Sequence, residues 1–382
     1  MRLLSAALTS FRNLRDVRLD FPAEGLALVG PNAQGKTNLL EALYYLETFR
    51  SFRGARDADL VRFGADFFRV AGEIEARPGE RGFDGGLAHC QVAVGWQRQG
   101  AEKRVSVDGV APARLADGIG HLGAVMFSPA DLSIVNDGPE ERRRFMDILL
   151  SLNHRGYLGA LQRFRQVLSQ RNAALKETGR VSAAEVWNGM LVEEGAKVTE
   201  LRNRWIGRAE EPFARAHEAI TGGVGVCLEH EPGIPGLGPG PWDVEAVKTA
   251  FREALLESRE RERRRGTTVV GPHRDELRIR VGPPDRRRDV RRYGSGGERR
   301  SVSLALRLLE AETVRVEKGR EPILLMDDVF AELDGERSER LLELLMGGGV
   351  GQIVLTAPKE SDVRLPASRL PRWSIREGEI FP

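Results

Sequence analysis

Residues 30–37 read GPNAQGKT and match the pattern G-x-x-x-x-G-K-[ST] of a phosphate-binding loop. The apolar residues Leu26 to Val29 before the loop predict a buried strand, and residues 38–49 after it carry leucines at helical spacing. Glycines let backbone N–H groups turn toward phosphate oxygens, and the next helix adds the positive end of its dipole. This order of strand, loop and helix predicts a nucleotide site with the candidate ligands Gly30, Pro31, Asn32, Ala33, Gln34, Gly35, Lys36, Thr37 and Asn38.

A second set of candidate residues follows the apolar strand at residues 323–326, which ends in Asp327-Asp328. A carboxylate at the end of a buried strand is costly unless it is paired or lies near a metal. We therefore expect Lys36 to neutralise the phosphates of ATP, with Thr37 and Asp327 as ligands of Mg²⁺ and Asp328 polarising the attacking water. The alternative for the two aspartates is an acidic helix cap after a strand.

Residues 295–298 read Ser-Gly-Gly-Glu and precede a helical pattern at residues 299–315. The N–H groups at such a helix start, with the Ser295 hydroxyl, form an anion site, so Ser295, Gly296 and Gly297 are further nucleotide candidates. The alternative is that Ser295 is an ordinary N-cap. One chain cannot easily bind the same phosphates with both loops, so we expect two chains to sandwich two ATP molecules.

Composition limits the class of protein. A chain of 382 residues with 41% hydrophobic content can form two domains or lobes, and no run of about 18 apolar residues predicts a membrane span. The N-terminal residues do not resemble a signal peptide, and two cysteines give neither a disulfide framework nor zinc spacing, so we expect a reducing cytosol. Arginine makes up 51 of the 58 basic residues, which indicates either a coding bias or contact with phosphate.

The predicted fold class is α/β. We expect a nucleotide-binding head with a mixed sheet, flanking helices and a β-meander, together with a helical lobe that has no long coiled coil. The predicted divisions are the N-terminal part of the head at residues 1–138, the helical lobe at 139–265, and the C-terminal part of the head at 266–382. Residues 352–356 are predicted to form the last strand.

An arginine-rich stretch at residues 286–292 has five arginines and one aspartate just before the Ser295 helix. These arginines could contact DNA phosphates, or they could form a solvated hairpin tip. The candidates for DNA contact are Arg286, Arg287, Arg288, Arg291 and Arg292. Farther back, His273 and Asp275 suggest catalysis or metal binding, but we favour a structural turn with a His–Asp hydrogen bond.

Several motifs together resemble the ATP-binding-cassette superfamily, specifically the heads of chromosome-maintenance and DNA-repair ATPases, and within these the RecF family. The resemblance runs from end to end of the chain and combines motifs in separate regions. The motifs lie at residues 11–13 (Phe-Arg-Asn), 30–38, 127–132, 139–145, 271–275 and 324–334.

The resemblance implies an ATP-dependent DNA-binding protein of recombinational repair and replication maintenance that dimerises head to head and hydrolyses ATP slowly. It implies recombinase loading at single-strand gaps, a role in the SOS response, and a cytoplasmic location at the nucleoid. The implied partners are double-stranded, gapped or single-stranded DNA and RecR, with RecO and RecA reached through RecR. It also implies that Arg12 and Asn13 lie near the nucleotide, while Ser295 and Gly297 touch the γ-phosphate held by the other subunit.

Two other classes of protein share the phosphate-binding loop. An ATPase subunit of a membrane transporter usually has Asp-Glu where this chain has Asp327-Asp328, a switch His where Thr356 stands, and a Gln in the loop at residues 127–131. A P-loop kinase or monomeric NTPase has no need of a second phosphate loop so far along the chain. These departures favour a slow, switch-like ATPase.

Overall fold

A computed structural model describes residues 1–83, 86–154, 156–178, 181–238, 240–346 and 351–382. The chain forms two compact units. The first contains residues 1–131, 219–222 and 304–382, and the second contains residues 132–218 and 223–303.

The boundaries of these units differ from the predicted divisions. The sequence placed the boundaries after residues 138 and 265, whereas the units divide after 131 and 303. Residues 276–281 pair with residues 226–231 in a sheet of the second unit, and this pairing keeps the stretch after residue 265 with the helices. A strand pairing across more than forty residues leaves no local signal in the sequence.

Strands are found throughout the described residues. In chain order they are β1 (Arg2–Thr9), β2 (Val17–Asp20), β3 (Gly25–Val29), β4 (Phe67–Glu75), β5 (His89–Gln97), β6 (Glu102–Val107), β7 (Ala124–Phe127), β8 (Val226–Glu231), β9 (Glu276–Val281), β10 (Arg288–Asp289), β11 (Ile323–Asp327), β12 (Ile353–Ala357), β13 (Arg372–Arg376) and β14 (Glu379–Phe381).

The helices follow the same convention. They are α1 (Lys36–Thr48), α2 (Asp57–Leu60), α3 (Leu132–Asn136), α4 (Pro139–Asn153), α5 (Tyr157–Thr178), α6 (Val181–Glu185), α7 (Asn188–Thr221), α8 (Val244–Glu257), α9 (Arg259–Arg265), α10 (Val290–Tyr293), α11 (Gly296–Lys318) and α12 (Gly335–Met346). The longest, α7, has 34 residues, so no long coiled coil is present among the described residues, as the sequence predicted. Three glycines at residues 347–349 predict the end of the last helix, α12, but they lie outside the described residues.

The first unit is built on two sheets. Its main sheet has the order β14-β13-β3-β12-β11-β7, in which β13, β3, β12, β11 and β7 are parallel. Its second sheet is antiparallel, with the order β2-β1-β4-β5-β6, and the predicted β-meander is confirmed in β4 to β6. Helix α1 packs its leucines into the apolar core that contains residues of both sheets. The strand predicted at residues 352–356 is confirmed as β12, but it is not the last, because β13 and β14 follow it.

The parallel register positions the site. Asp327 at the end of β11 pairs with Thr356 of β12, and Ala357 pairs with Val29 at the end of β3. Because parallel strands present their carboxyl ends at one edge of a sheet, the segments that follow β3 and β11 meet there. The loop at residues 30–37 and the two aspartates are therefore neighbours.

The second unit packs its helices around an apolar core and carries the small sheet β10-β9-β8. Its interior also holds a buried polar network. The Arg202 guanidinium donates to Asp147 Oδ1 and Asp275 Oδ2, each at 2.7 Å, and to the Tyr157 hydroxyl at 3.0 Å. Buried charges are tolerated when they are paired and hydrogen-bonded in this way.

The predicted hydrogen bond between His273 and Asp275 was wrong. Nε2 of His273 lies 3.1 Å from the carbonyl oxygen of Thr268, whereas Asp275 accepts from the N–H of Gly233 and lies 3.3 Å from His230. Burial lowers the pKa of His273 to about 4. Although burial acts against it, the contacts with His230 and Arg202 hold the pKa of Asp275 below its ordinary value.

Candidate nucleotide-binding site

The phosphate-binding loop joins β3 to α1, as the sequence predicted. Gly35 has φ of 116° and Ala33 has φ of 66°, and such positive values let consecutive N–H groups face one side of the loop. A side chain at position 35 would also come within 2.8 Å of Asn13 Oδ1, so glycine is required there.

The Lys36 ammonium lies inside the curve of the loop. It donates to the carbonyl oxygens of Gly30 at 2.7 Å and Pro31 at 3.2 Å, and its side chain is buried. Burying an ammonium group without an acceptor is costly, and here the loop supplies the acceptors. This positive charge stands where a loop of this kind binds phosphate.

The carboxylate of Asp327 is held by two threonine hydroxyls. Thr37 Oγ1 donates to it, with 2.9 Å to Oδ2 and 3.0 Å to Oδ1, and Thr356 Oγ1 donates to Oδ1 at 2.7 Å. Oxygen donors from a hydroxyl and a carboxylate are the ligands that Mg²⁺ prefers, so this pair fits a magnesium site completed by phosphate and water. The two predicted metal ligands are thus in direct contact.

Asp328 differs from its neighbour in conformation and in contacts. Its φ of 48° is unusual for a residue other than glycine, and its N–H donates to Thr356 Oγ1 at 3.2 Å. Within the described residues, its Oδ1 atom is buried and has no hydrogen-bond partner. Burial, and then the charge of Asp327, raise the pKa of the Asp328 carboxyl. A carboxylate with an unused acceptor is suited to bind the proton of a water molecule.

The Phe-Arg-Asn motif is attached to α1 and to the phosphate loop. Arg12 donates to both oxygens of Glu41, at 2.9 and 3.1 Å, and Glu41 is fully buried. Asn13 accepts from Asn38 at 2.7 Å and donates to the carbonyl oxygen of Gln34 at 3.3 Å. Arg12 and Asn13 thus support the loop from one side, while the prediction that they lie near the bound nucleotide stays a prediction.

The sequence did not predict Glu41, Ser51 and Glu377 as parts of this site. Glu41 accepts from Ser51 Oγ at 2.5 Å as well as from Arg12, and Gln34 Oε1 accepts from the N–H of Glu377 at 2.6 Å. The C-terminal hairpin of β13 and β14 therefore contacts the loop. The sequence signal for Glu41 is its position one turn after Thr37, on the inner face of α1. A glutamate buried there requires a paired or hydrogen-bonding partner.

The Ser-Gly-Gly-Glu motif lies in the second unit, at the start of α11. Ser295 Oγ accepts from the N–H of Glu298 at 3.2 Å, and Glu298 Oε2 accepts from the N–H of Ser295 at 2.7 Å. This reciprocal pair is a capping box, so the N-cap alternative is confirmed as local geometry. The box uses the N–H groups of Ser295 and Glu298, while Ser295 and Gly296 remain exposed.

The five candidate arginines for DNA contact also lie in the second unit. All are exposed, and they occupy the end of the β9–β10 hairpin and the short helix α10. Arg288 donates to Glu298 at 2.6 Å and Arg291 to the carbonyl oxygen of Asn136 at 3.2 Å, whereas Arg286 only neighbours Asp285 at 3.4 Å. Tyr293, 65% exposed, lies at the end of the same helix.

Comparisons with known proteins give the family. The family model for the RecF/RecN/SMC N-terminal domain matches residues 3–365. DNA replication and repair protein RecF from Synechococcus sp. (strain JA-3-3Ab) is 39% identical over 341 residues, which cover 88% of this chain and 86% of the relative. The protein of that name from Geobacter sp. (strain M21) is 34% identical over 100% of both chains.

Solved structures agree with this result. A structure of the recombination mediator protein RecF-ATPrS in the RecFOR pathway matches with a TM-score of 0.87 and 28% identity, over 100% of this chain and 97% of its own. An SMC head bound to a domain of ScpA, at 15% identity and a TM-score of 0.58 over 100% and 96% of the chains, shares the fold alone. The fold is that of an ATP-binding-cassette ATPase head. No helix among the described residues is long and apolar enough to cross a bilayer. The chain belongs to the RecF family of DNA replication and repair proteins.

Proposed function

We propose that this protein is an ATP-controlled DNA clamp of recombinational repair. Two copies bind ATP and close head to head, so that the phosphate loop of one copy and Ser295 of the other face the same nucleotide. The observation that carries the proposal is an asymmetry of burial. Lys36 and Asp327 are buried and paired within the first unit, while Ser295 and Gly296 stand exposed at a helix start in the second.

ATP binding is supported by the geometry of the loop. It is also supported by the similar solved structures, which are described as RecF-ATP and RecF-ATPrS. Lys36 balances the phosphate charge, and the backbone N–H groups of the loop after Pro31 donate to the phosphate oxygens. Thr37 and Asp327 would hold Mg²⁺, which would neutralise charge at the phosphates. Asp328 accepts a proton from the attacking water. Its side chain is shorter than the glutamate that transporter subunits usually have there, which fits slow turnover.

The Ser-Gly-Gly-Glu motif at residues 295–298, which we call the signature motif, contributes in trans. The N–H groups at the start of α11 and the Ser295 hydroxyl offer hydrogen bonds to an anion. These donors are needed to complete the nucleotide site. A second copy of the chain supplies them when the dimer closes. ATP bound in the loop of one copy then favours dimerisation with a second copy, and hydrolysis resets the clamp.

DNA binding is assigned to the arginine cluster of the second unit. Exposed arginines bind phosphates without regard to base sequence, so this contact suits double-stranded, gapped and single-stranded DNA alike. By family membership we extend the proposal to recombinase loading at single-strand gaps, replication maintenance and the SOS response. RecR is then the direct partner, RecO and RecA act through it, and the protein works in the cytoplasm at the nucleoid. A transporter subunit is not favoured.

Light scattering of the purified protein tests the proposal, with and without ATP-Mg²⁺ and with a gapped duplex. We expect a monomer that becomes a dimer with ATP, and more readily on DNA. Ser295→Arg should leave ATP binding intact and block the dimer, whereas Ser169→Arg, which adds the same charge to an exposed position of α5, should not. A monomer that ignores ATP would contradict the clamp and favour a monomeric NTPase.

A further inference from the structure

Glu298 connects two features of the second unit that the proposed function treats separately. Its Oε2 atom accepts from the N–H of Ser295 at 2.7 Å, and its Oε1 atom accepts from the Arg288 guanidinium at 2.6 Å. The Glu298 N–H in turn donates to Ser295 Oγ. One carboxylate therefore joins the signature serine to the arginine cluster.

The backbones on both sides of this carboxylate are fixed. Arg288 lies in β10, paired with Val281 of β9, and the next turn begins with a cap from Asp289 to the N–H of Arg292 at 3.1 Å. Arg299 of α11 donates to the carbonyl oxygen of Arg291 at 3.0 Å. Helix α10 and the start of α11 are thus joined by Arg299, which donates to the carbonyl oxygens of both Val290 and Arg291.

The contact with Arg288 matters because it balances the negative charge of Glu298. Glu298 is a negative group beside N–H donors that are meant to bind a negative phosphate. Although burial acts against it, the hydrogen bonds from Ser295 and Arg288 lower the pKa of Glu298, which keeps this carboxyl ionised. Without Arg288 the carboxylate would repel the phosphate, and with Arg288 the charge is balanced.

Arg288 is also open to a second anion. Its side chain is 53% exposed and donates to Glu298 through one terminal nitrogen, and a guanidinium has five N–H donors in a fixed fork. A DNA phosphate can therefore bind the same guanidinium without displacing Glu298. Such a phosphate would hold Arg288 in the orientation that balances Glu298.

We propose that Arg288 and Glu298 are positioning residues for Ser295, and that a DNA phosphate bound by Arg288 strengthens the ATP-dependent dimer. The inference rests on the proposed function, because it assumes that Ser295 meets the nucleotide of the other copy. It adds a defined route from DNA to the nucleotide site, through one carboxylate. The partner class is the sugar-phosphate backbone of DNA, read by charge alone.

Sedimentation velocity with ATP-Mg²⁺ tests the inference through the dissociation constant of the dimer. Arg288→Ala should weaken the dimer about a hundredfold, since removing one charge-assisted contact costs about tenfold at each of two equivalent sites. Arg288→Lys should stay within about tenfold of wild type because it keeps the charge. The double variant Arg288→Ala/Glu298→Gln should recover most of the loss, because glutamine still accepts from Ser295 but carries no charge.

The matched control is Arg286→Ala, which removes an exposed arginine of the same cluster that has no contact with Glu298. At saturating gapped duplex, DNA should tighten the dimer of the wild type and of Arg286→Ala, but not that of Arg288→Ala. ATP binding by the monomer and thermal unfolding should be unchanged in all variants.

The outcomes separate the inference from the function it rests on. If the wild type dimerises and Arg288→Ala behaves like Arg286→Ala, the inference is overturned and the clamp stands. If the double variant is as weak as Arg288→Ala alone, the charge argument is overturned. If the wild type itself does not dimerise with ATP, the proposed function fails and the inference falls with it.

Discussion

The phosphate loop and the signature motif are both proposed to bind phosphate, but they differ in how far their residues are buried. In the first unit, Lys36 and Asp327 are 5% and 7% exposed, and each has its acceptors or donors from the same unit. In the second unit, Ser295 and Gly296 are exposed, and a side chain at position 296 would meet open space. The phosphate loop has its charged groups already buried and paired, and we call it the finished half-site. The signature motif is an open surface.

This difference follows from the cost of burying charge. The Lys36 ammonium and the Asp327 carboxylate can be kept away from water only with hydrogen-bond partners. The first unit therefore supplies those partners itself, without a bound phosphate. The signature motif carries no buried charge, because its one carboxylate, Glu298, is balanced by Arg288 at the surface. A surface of this kind can be left open until a second molecule covers it.

The largest effect is expected at the finished half-site. Lys36→Met removes the positive charge inside the loop, and we expect at least a thousandfold loss of ATP affinity, about 4 kcal/mol. Calorimetry with ATP-Mg²⁺ measures it, with Lys176→Met, an exposed lysine of α5, as the control. Affinity within tenfold of wild type would mean that Lys36 is not a phosphate ligand.

Acid should weaken the second unit through His273. Its pKa in the folded protein is about 4 against an ordinary 6.5, so between these values the unfolded chain binds a proton that the folded chain does not. Stability is therefore lost as pH falls from 6.5 to 4, by up to about 3 kcal/mol. Urea unfolding at pH 7 and 4.5 measures the loss, which should shrink in His273→Asn and persist in His89→Gln, a histidine with a 66% exposed side chain. An equal loss in both variants would reject this assignment.

Hydrolysis should separate from binding at Asp328. Because its Oδ1 atom has no partner in the described residues, Asp328→Asn should leave ATP affinity unchanged while turnover falls about a hundredfold. A coupled phosphate-release assay measures the rate, and Asp20→Asn, at an 85% exposed side chain, is the control. Turnover equal to wild type would remove Asp328 as the base and leave the nucleotide half-site without one.

The smallest effect is expected on the open surface. Arg286→Ala/Arg287→Ala removes two exposed charges, and we expect about a tenfold loss of DNA affinity with a salt dependence reduced by about two counterions. Fluorescence anisotropy over a salt series measures both, with Arg263→Ala, an arginine of α9 paired with Glu260, as the control. If the slope does not change, the cluster is a solvated hairpin tip, the alternative left open by the sequence.

The sequence predicted the strand, loop and helix around residues 30–37 and the strand that ends in Asp327-Asp328 because their signals are local. The loop at 30–37, the strand before it and the Asp327-Asp328 pair each occupy a few consecutive residues, and parallel pairing of their strands brings them together. The signature motif and its helix were likewise predicted from adjacent residues. In each case the chemistry and the spacing lie in one short stretch.

What the sequence did not predict depends on contacts between distant residues. Glu41 was missed because its partners Arg12 and Ser51 come from other elements, and the C-terminal hairpin was missed although Glu377 contacts Gln34. The partner of Asp275 was assigned wrongly for the same reason, since Arg202 lies on α7. Such contacts are set by packing, which has no periodic signature.

Mixing two inactive variants tests most directly whether the two halves meet across copies of the chain. Lys36→Met lacks a working loop but keeps Ser295, and Ser295→Arg keeps the loop but lacks the signature serine. Neither should dimerise with ATP alone, whereas an equimolar mixture should form a heterodimer with one ATP in its one intact site. Sedimentation velocity with labelled ATP measures both quantities. A mixture that stays monomeric, or a Ser295→Arg protein that dimerises by itself, would contradict the account.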